Sequence, residues 1–109
     1  MENDTARKET DGWIKMAEND LSDAKFNLKH GRLNTAAFLS HQAAEKALKA
    51  LYILKFNKLL KVHDLVKLGK QVGADENILN ACDLLNPFYI ETRYSLGVLY
   101  KKETIQKAR

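Results

Sequence analysis

The sequence has little of what interrupts helices or cross-links a chain. Its 109 residues include one proline, five glycines and one cysteine, Cys82. A single cysteine cannot form a disulfide within the chain, so a disulfide-stabilised scaffold is excluded. No apolar run approaches the length of a membrane span, and no N-terminal stretch resembles a signal peptide. We therefore expect a cytoplasmic protein with no membrane partner.

The charges are mixed and are not gathered into one block. Eighteen Lys and Arg stand against 14 Asp and Glu, which gives a formal net charge of +4. The basic residues are mostly lysines spread along the chain. This spread is more typical of a solvated basic surface than of a dedicated nucleic-acid stripe. A basic groove formed only on folding or dimerisation stays open as an alternative.

Helical patterns run through most of the chain. Ala, Leu, Lys, Glu and Asn dominate, which favours helix, and no segment alternates apolar and polar residues as a half-buried strand does. We predict a first helix capped by Asp11 and ended by Gly31, which suits the left-handed position beyond a helix. A second helix, capped by Asn34 or Thr35, is predicted to run to about Phe56.

The second half of the chain contains further start and stop signals. Asp64 is predicted to open a short third helix that Gly73 closes. Asp75 is predicted to cap a fourth helix, and Asn86 followed by Pro87 indicates a new helical segment or a kinked continuation. The predicted buried stripe of the fourth helix consists of Ile78, Leu79, Cys82 and Leu85.

These patterns predict an all-α fold, an up-and-down bundle of four to five helices. Residues 1–12 are predicted to be a polar tail, and residues 13–109 a single helical domain. The apolar arc of the second helix is about twice the width of roughly 100° that a surface helix needs. We therefore expect it to be covered from several sides, in a homodimer. The interface candidates, apolar residues outside the expected core faces, are Phe26, Leu39 and Ile53.

Two polar residues of the second helix, His41 and Glu45, lie among apolar neighbours and are four residues apart. A buried carboxylate needs a partner, because desolvating it alone is costly. His41 is the nearest candidate, and the guanidinium of Arg93 is a better one. Either this pair merely ties two helices together, or it marks a polar cleft beside Arg93. Both interpretations stay open.

The ordered set of motifs resembles the HEPN family of small helical domains. The resemblance covers residues 13 to about 96 and implies a dimeric bundle of four or five helices. It also implies nucleotide binding, or action beside a minimal nucleotidyltransferase in a toxin–antitoxin-like pair. Other members are ribonucleases that use an Arg followed after four to six residues by a His. The matching segments are "AENDLSDAKFNL", "GRLNTAAFLSHQAAEKALKALY", "HDLVKLGKQVG" and "YIETRYS".

The chain departs from the ribonuclease pattern. The positions at that spacing from Arg93 are Val98, Leu99 and Tyr100, and none is a histidine. Val and Leu cannot transfer protons, and Tyr titrates near pH 10 unless perturbed. We therefore favour a non-catalytic module that binds a nucleotide or a partner. A ribonuclease with an atypical site that recruits His41, and a purely structural dimerisation module, are the alternatives.

The candidate ligand-binding residues lie in the second helix and in the "TRY" segment. A guanidinium can bind a phosphate through two parallel hydrogen bonds, and a tyrosine can stack on a base. The histidines and Cys82 lack the paired spacing of metal ligands, so no metal site and no cofactor is predicted. His63 is assigned to the start of the third helix. The ligand-binding candidates are Arg93, Tyr94, Glu45, His41 and Lys49.

Overall fold

The structure, a computed structural model, describes residues 2–88. These residues form helices joined by short connections: α1 (Glu2–Lys29), α2 (Leu33–Phe56) and α3 (Leu65–Gln71), followed by α4 over residues 76–88. No strand occurs within this described part, and the all-α prediction is confirmed. α1 packs along α2, and α3 packs against Leu48 and Tyr52 in the C-terminal half of α2. None of the helices in residues 2–88 combines the length and apolar character needed to cross a bilayer.

The first helix begins earlier than the sequence suggested. α1 starts at Glu2, so the prediction that Asp11 caps this helix is wrong. The preceding residues are mostly good helix formers, and Gly12 costs only about 1 kcal/mol relative to alanine. Tertiary contacts hold this part of the helix: Ala6 is buried, and Thr10 Oγ1 donates to the carbonyl of Ala50 over 3.5 Å. The helix thus runs through the predicted boundary between tail and domain. That division itself stays a prediction.

The turn between α1 and α2 confirms the role predicted for Gly31. Its φ is +75°, in the left-handed region that glycine adopts without a steric penalty. The N–H of Gly31 donates to the carbonyl of Leu28 over 3.0 Å, and the N–H of Arg32 donates to that of Asn27 over 2.8 Å. This pair of hydrogen bonds is a Schellman motif, which satisfies the last carbonyls of α1.

The predicted caps of the second helix, Asn34 and Thr35, are wrong. α2 begins at Leu33, immediately after the Gly31 turn, with Arg32 in the N-cap position and no side-chain cap hydrogen bond. Only three residues connect α1 to α2, so α2 begins before Asn34 and Thr35. Both residues therefore lie inside the helix and cannot cap it. The predicted end of this helix is confirmed, since α2 stops at Phe56.

The predicted boundaries of the third helix and the predicted start of the fourth helix are confirmed. Asp64 accepts hydrogen bonds from the N–H groups of Val66 and Lys67 and so caps α3. Gly73 follows the end of α3 with a φ of +78°. Asp75 caps α4 by accepting from the N–H of Ile78 over 2.9 Å. Short polar side chains at these positions satisfy backbone donors that have no partner within the helix.

Asn86 does not cap a new helix. Residues 76–88 form one continuous helix, and the Asn86 side chain turns back towards the start of α3. Its Oδ1 accepts from the N–H of Leu65 over 2.8 Å, and its Nδ2 donates to Oδ1 of Asp64 over 2.9 Å. Proline at position 87 therefore lies within a helix, and Asn86 joins α4 to α3.

The described core lies where α2, α3 and α4 meet. Cys82 is buried there, as predicted, and burial raises the pKa of its thiol. Gly69 allows α3 and α4 to approach closely, because a Cβ at this position would lie 2.8 Å from Cδ2 of Leu79. Ile78 is exposed, so its place in the predicted buried stripe is wrong. The buried residues of this cluster are Leu48, Tyr52, Leu65, Leu68, Val72 and Cys82.

Candidate functional site

Three polar side chains of α2 form a buried column. His41, Glu45 and Lys49 follow one another at four-residue spacing, which places them on one face of the helix. The exposed fractions of His41, Glu45 and Lys49 are 0%, 5% and 6%, respectively. His41 and Glu45 are therefore buried, as their apolar neighbours on the helix indicated. Lys49, a predicted ligand-binding residue, is buried with them, although lysine is mostly an exposed residue in proteins.

The Glu45 carboxylate is the centre of this column. Its Oε2 lies 2.7 Å from Nζ of Lys49 and 2.9 Å from Nδ1 of His63, which comes from the connection between α2 and α3. An ionised carboxylate only accepts hydrogen bonds, so both nitrogens donate to it. Glu45 thus links its own helix to the loop that precedes α3.

The second carboxylate oxygen of Glu45, Oε1, can accept a further hydrogen bond. Oε1 is buried and makes no hydrogen bond within residues 2–88. Nδ1 of His41 lies 3.7 Å away, beyond hydrogen-bond distance. A buried acceptor without a donor is costly, so this oxygen is suited to receive one further donor. The predicted donor, Arg93, lies outside the described residues, and so does Tyr94.

Lys49 has two interactions that compensate for its burial. Its ammonium donates to Glu45, and it lies 5.8 Å from the centroid of the Trp13 ring on α1. A buried charge is tolerated when it is paired and hydrogen-bonded, and an aromatic face adds a cation–π attraction. Lys49 therefore serves as the countercharge of Glu45 and is not presented to solvent.

His41 is fully enclosed. Burial disfavours the charged imidazolium and lowers the pKa of His41 below its ordinary value. Glu45, the Gln42 side chain and the backbone of His63 act in the opposite direction, and the charge of His63 acts in the same direction as burial. The ring is thus kept neutral near pH 7. With no exposed surface, it is not placed to exchange protons with a bound ligand.

His63 is the part of this cluster that reaches the surface. Its side chain is 55% exposed, while the carboxylate that holds it is buried. Sequence reasoning assigned His63 only to the start of α3 and missed its contact with Glu45. The partners are separated by 18 residues, and helical periodicity does not report contacts between a helix and a distant loop. The shared buried acceptor follows from the packing of this loop against α2.

An apolar groove lies between α1 and α2. Alanines of both helices and Ser40 line it, with Ile14, Leu21, Leu28 and Leu33 along its length. Its larger half has a volume of about 440 Å³ and reaches Leu85 of α4. The four large residues of the groove are partly exposed, and apolar surface of this kind is typical of an interface.

The three predicted interface residues differ in their exposure. Phe26 is 61% exposed on α1, and Leu39 is half-buried on α2. Ile53 is 1% exposed, so the expectation that it lies outside the core is wrong. α1 and α3 both pack against α2 within the chain itself, so part of the wide apolar arc is covered without a second subunit. The interface roles of Phe26 and Leu39 stay predictions.

The described residues hold no cluster suited to a metal ion. Within residues 2–88, no three His, Cys, Asp or Glu side chains come together as a ligand set. Glu45 lies beside both His41 and His63 and is also paired with Lys49. The chemistry of this site in the described part is therefore that of hydrogen bonds and compensated charge.

Comparison with known families identifies the chain. A model of the HEPN domain matches residues 10–109. The match covers nearly the whole sequence, including most of α1 and all of α2, α3 and α4. It confirms the resemblance drawn from the sequence motifs. Neither the curated proteins nor the solved structures contain a significant match to the chain.

Proposed function

Because the chain belongs to the HEPN domain family, a family of nucleotide- and RNA-related modules, we propose that it binds a nucleotide without cleaving RNA. The observation that carries this proposal is the environment of Glu45. Its carboxylate is buried, is neutralised by Lys49 and retains one oxygen with no hydrogen bond in residues 2–88. A carboxylate in this state can receive and orient a guanidinium.

Arg93 is our candidate for that guanidinium. One edge of the group would donate to Oε1 of Glu45, and the remaining donors would bind a phosphate of the ligand. Tyr94, the next residue, would stack on the base. His41 and Lys49 then contribute from within the protein, by packing beside Glu45 and by balancing its charge.

The burial of His41 argues against the rival ribonuclease. General acid/base catalysis needs a proton-transfer group within hydrogen-bond reach of the substrate. His41 has no exposed surface, and Val98, Leu99 and Tyr100 occupy the positions at which the family's ribonucleases have histidine. One specific observation still favours the rival: His63 is exposed and is held by a carboxylate, as an acid/base histidine often is. If the chain cleaves RNA, His63 is the residue to test.

We further propose that the module is a cytoplasmic homodimer and acts with a minimal nucleotidyltransferase in a toxin–antitoxin-like pair. The exposed leucines of the groove between α1 and α2, together with Phe26, support an apolar contact with another protein surface. A gene for such a nucleotidyltransferase next to this one would support the pairing. Failure of the two proteins to co-purify after co-expression would contradict it.

The test of nucleotide binding is a pair of assays on one purified preparation. Calorimetry with ATP measures binding, and incubation with a mixed-sequence RNA measures cleavage. We expect binding without cleavage, weaker binding in Arg93→Ala, and weaker binding as salt is added. Arg7→Ala is the matched control, because Arg7 is an exposed arginine on α1. It should bind ATP as the wild type does.

Each other result selects a different function. RNA cleavage that is lost in His63→Gln or His41→Gln would establish the atypical ribonuclease. Neither binding nor cleavage would leave a structural dimerisation module, in which Arg93 only ties helices together. Equal loss of binding in Arg93→Ala and Arg7→Ala would mean that the effect is one of net charge and would overturn the assigned role of Arg93.

A further inference from the structure

We propose that His63, oriented by Glu45, contacts a phosphate group of the nucleotide. This inference rests on the proposed function and adds to it a ligand-contacting residue that lies outside the "TRY" segment. It starts from a contrast in burial. The carboxylate is enclosed, whereas the ring that it holds is 55% exposed. An exposed side chain that is fixed from behind is suited to meet a ligand at the surface.

The hydrogen bond to Glu45 determines how the ring is presented. Nδ1 of His63 lies 2.9 Å from Oε2 of Glu45 and donates to it. Which nitrogen of an imidazole carries the proton is set by the hydrogen bond that the other makes. The imidazolium form of histidine has two N–H donors, and in that form His63 can bridge Glu45 and a phosphate oxygen.

The charges around His63 are compatible with an anion. A bare carboxylate behind the ring would repel a phosphate, but Lys49 lies 2.7 Å from the same oxygen of Glu45 and balances it. The neighbouring acid, Asp64, is engaged by the N-terminal N–H groups of α3 and by Asn86. Exposed lysines flank His63 along the chain, at positions 58, 61 and 67. Between positions 58 and 67 the chain thus has three lysines and one acid, an excess of positive charge along the sequence that favours an anion.

The other two histidines provide the comparison. His41 is enclosed and cannot reach a ligand. His30 is exposed at the end of α1, where its Nδ1 lies 2.9 Å from the carbonyl oxygen of Phe26 and its ring packs on the Phe26 ring. His30 is thus held by its own helix and not by a buried carboxylate. It is the matched control for His63.

The experiment combines calorimetry with NMR spectra of the imidazole groups. ATP, adenosine and inorganic phosphate are titrated separately into the wild type, His63→Gln and His30→Gln. We expect ATP to bind and to shift the His63 ring signals, and adenosine to bind more weakly and leave them unchanged. Loss of one hydrogen bond to a charged group should weaken ATP binding by roughly tenfold or more in His63→Gln. His30→Gln should bind as the wild type does.

The outcomes separate this inference from the proposed function. ATP binding that is equal in the wild type and His63→Gln, with unshifted His63 signals, overturns the inference and leaves the proposed function standing. Absence of ATP binding in the wild type overturns both. If inorganic phosphate shifts the His63 signals as ATP does, His63 makes a general phosphate contact. If only ATP shifts them, the contact is made in the nucleotide complex. Adenosine that binds as tightly as ATP contradicts a phosphate contact.

The positioning role of Glu45 has its own readout. In the wild type, the ¹⁵N shifts of the neutral His63 ring should report a proton on Nδ1, because the carboxylate accepts from that nitrogen. In Glu45→Gln the population with the proton on Nε2 should rise. Unchanged ¹⁵N shifts would show that Glu45 does not orient the ring. Thermal unfolding of each variant, followed by circular dichroism, identifies any that has lost its fold.

Discussion

Asn86 and Asp64 are joined by a 2.9 Å hydrogen bond, from Nδ2 of the amide to Oδ1 of the carboxylate, although 22 residues separate them. The same amide accepts from the N–H of Leu65 over 2.8 Å. One side chain of α4 thus satisfies a backbone donor at the start of α3 and also holds the residue that caps α3. The contact thus fixes α4 to the start of α3, one residue along the chain from His63.

We predict that Asn86→Ala destabilises the fold by roughly 1–3 kcal/mol. The substitution leaves the N–H of Leu65, a fully buried residue, without its acceptor. Urea unfolding followed by circular dichroism measures the change. Asn80→Ala is the control, since Asn80 is an exposed asparagine of the same helix. Equal stability of the two variants would contradict the role given to Asn86.

The pair also predicts a dependence on acid pH. Hydrogen bonds lower the pKa of Asp64. The largest effect comes from the Asn86 side chain, and the N–H groups at the start of α3 add to it. A carboxyl whose pKa is lower in the folded state contributes stability above its unfolded pKa, near 3.9, and loses it as pH falls through the folded value. Asn86→Ala should therefore raise the pKa of Asp64, as measured by NMR titration. The stability difference between this variant and the wild type should shrink below about pH 4.

The helix boundaries that could be predicted from the sequence are those set by local chemistry. Gly31, Asp64 and Asp75 end or begin helices through the conformation or side chain of a single residue, and each was predicted correctly. The start of α1 could not be predicted in the same way. Asp11 has the chemistry of a cap, but the contact between Thr10 and α2 favours a helix that continues through it.

The candidate site was predictable only in part for a related reason. The four-residue spacing of His41 and Glu45 was visible in the sequence, and so was the need of a buried carboxylate for a partner. The identity of the partners was not visible. Lysine is usually a surface residue, so the burial of Lys49 was not expected. His63 lies in a loop whose placement depends on the packing of α3. Hydrogen bonds between distant segments follow from the tertiary fold, which helical periodicity does not specify.

We predict that the protein loses stability as pH falls below about 6.5, because His41 is buried in its neutral form. A histidine whose pKa is lowered by folding binds its proton more readily in the unfolded chain. Its contribution is complete above the unfolded pKa and is lost as pH falls towards the folded value. Urea unfolding at about pH 7.5 and at about pH 5.5 should show a loss that is reduced in His41→Gln.

The control for this titration is His30→Gln, which leaves His41 in place and should keep the wild-type dependence on pH. An NMR titration of the imidazole signals provides a direct check. The signal that His41→Gln removes belongs to His41. Its pKa should lie below the ordinary histidine value, which is near 6.5. If it titrates above that value, burial does not dominate at this position.

We predict a homodimer whose interface includes the groove between α1 and α2. Light scattering at micromolar concentration should give twice the 12.4 kDa mass of the chain. Leu21→Glu, in the middle of the groove, should shift the mass towards the monomer, because a carboxylate buried without a partner is costly. Leu84→Glu is the control, since Leu84 is 74% exposed and does not line the groove. A monomeric wild type would refute the prediction.

The last prediction concerns the pairing of Glu45 with Lys49. Glu45→Leu leaves a buried ammonium without its countercharge and should cost about 3–5 kcal/mol. Glu45→Gln should cost less, because the amide oxygen still accepts a hydrogen bond. Adding Lys49→Leu to Glu45→Leu should recover part of the loss, since no buried charge then remains unpaired. Urea unfolding of the single and double variants completes a double-mutant cycle.

A second ion pair of the chain provides the comparison for that cycle. Lys46 and Asp20 join α2 to α1, and their side chains are more exposed than those of Glu45 and Lys49. Water screens the more exposed pair, so its coupling energy should be about 1 kcal/mol or less. A larger coupling for Glu45 and Lys49 than for Asp20 and Lys46 is the expected result. Equal coupling energies would show that burial does not strengthen the pairing, and Lys49 would lose its role as the countercharge on which the orientation of His63 depends.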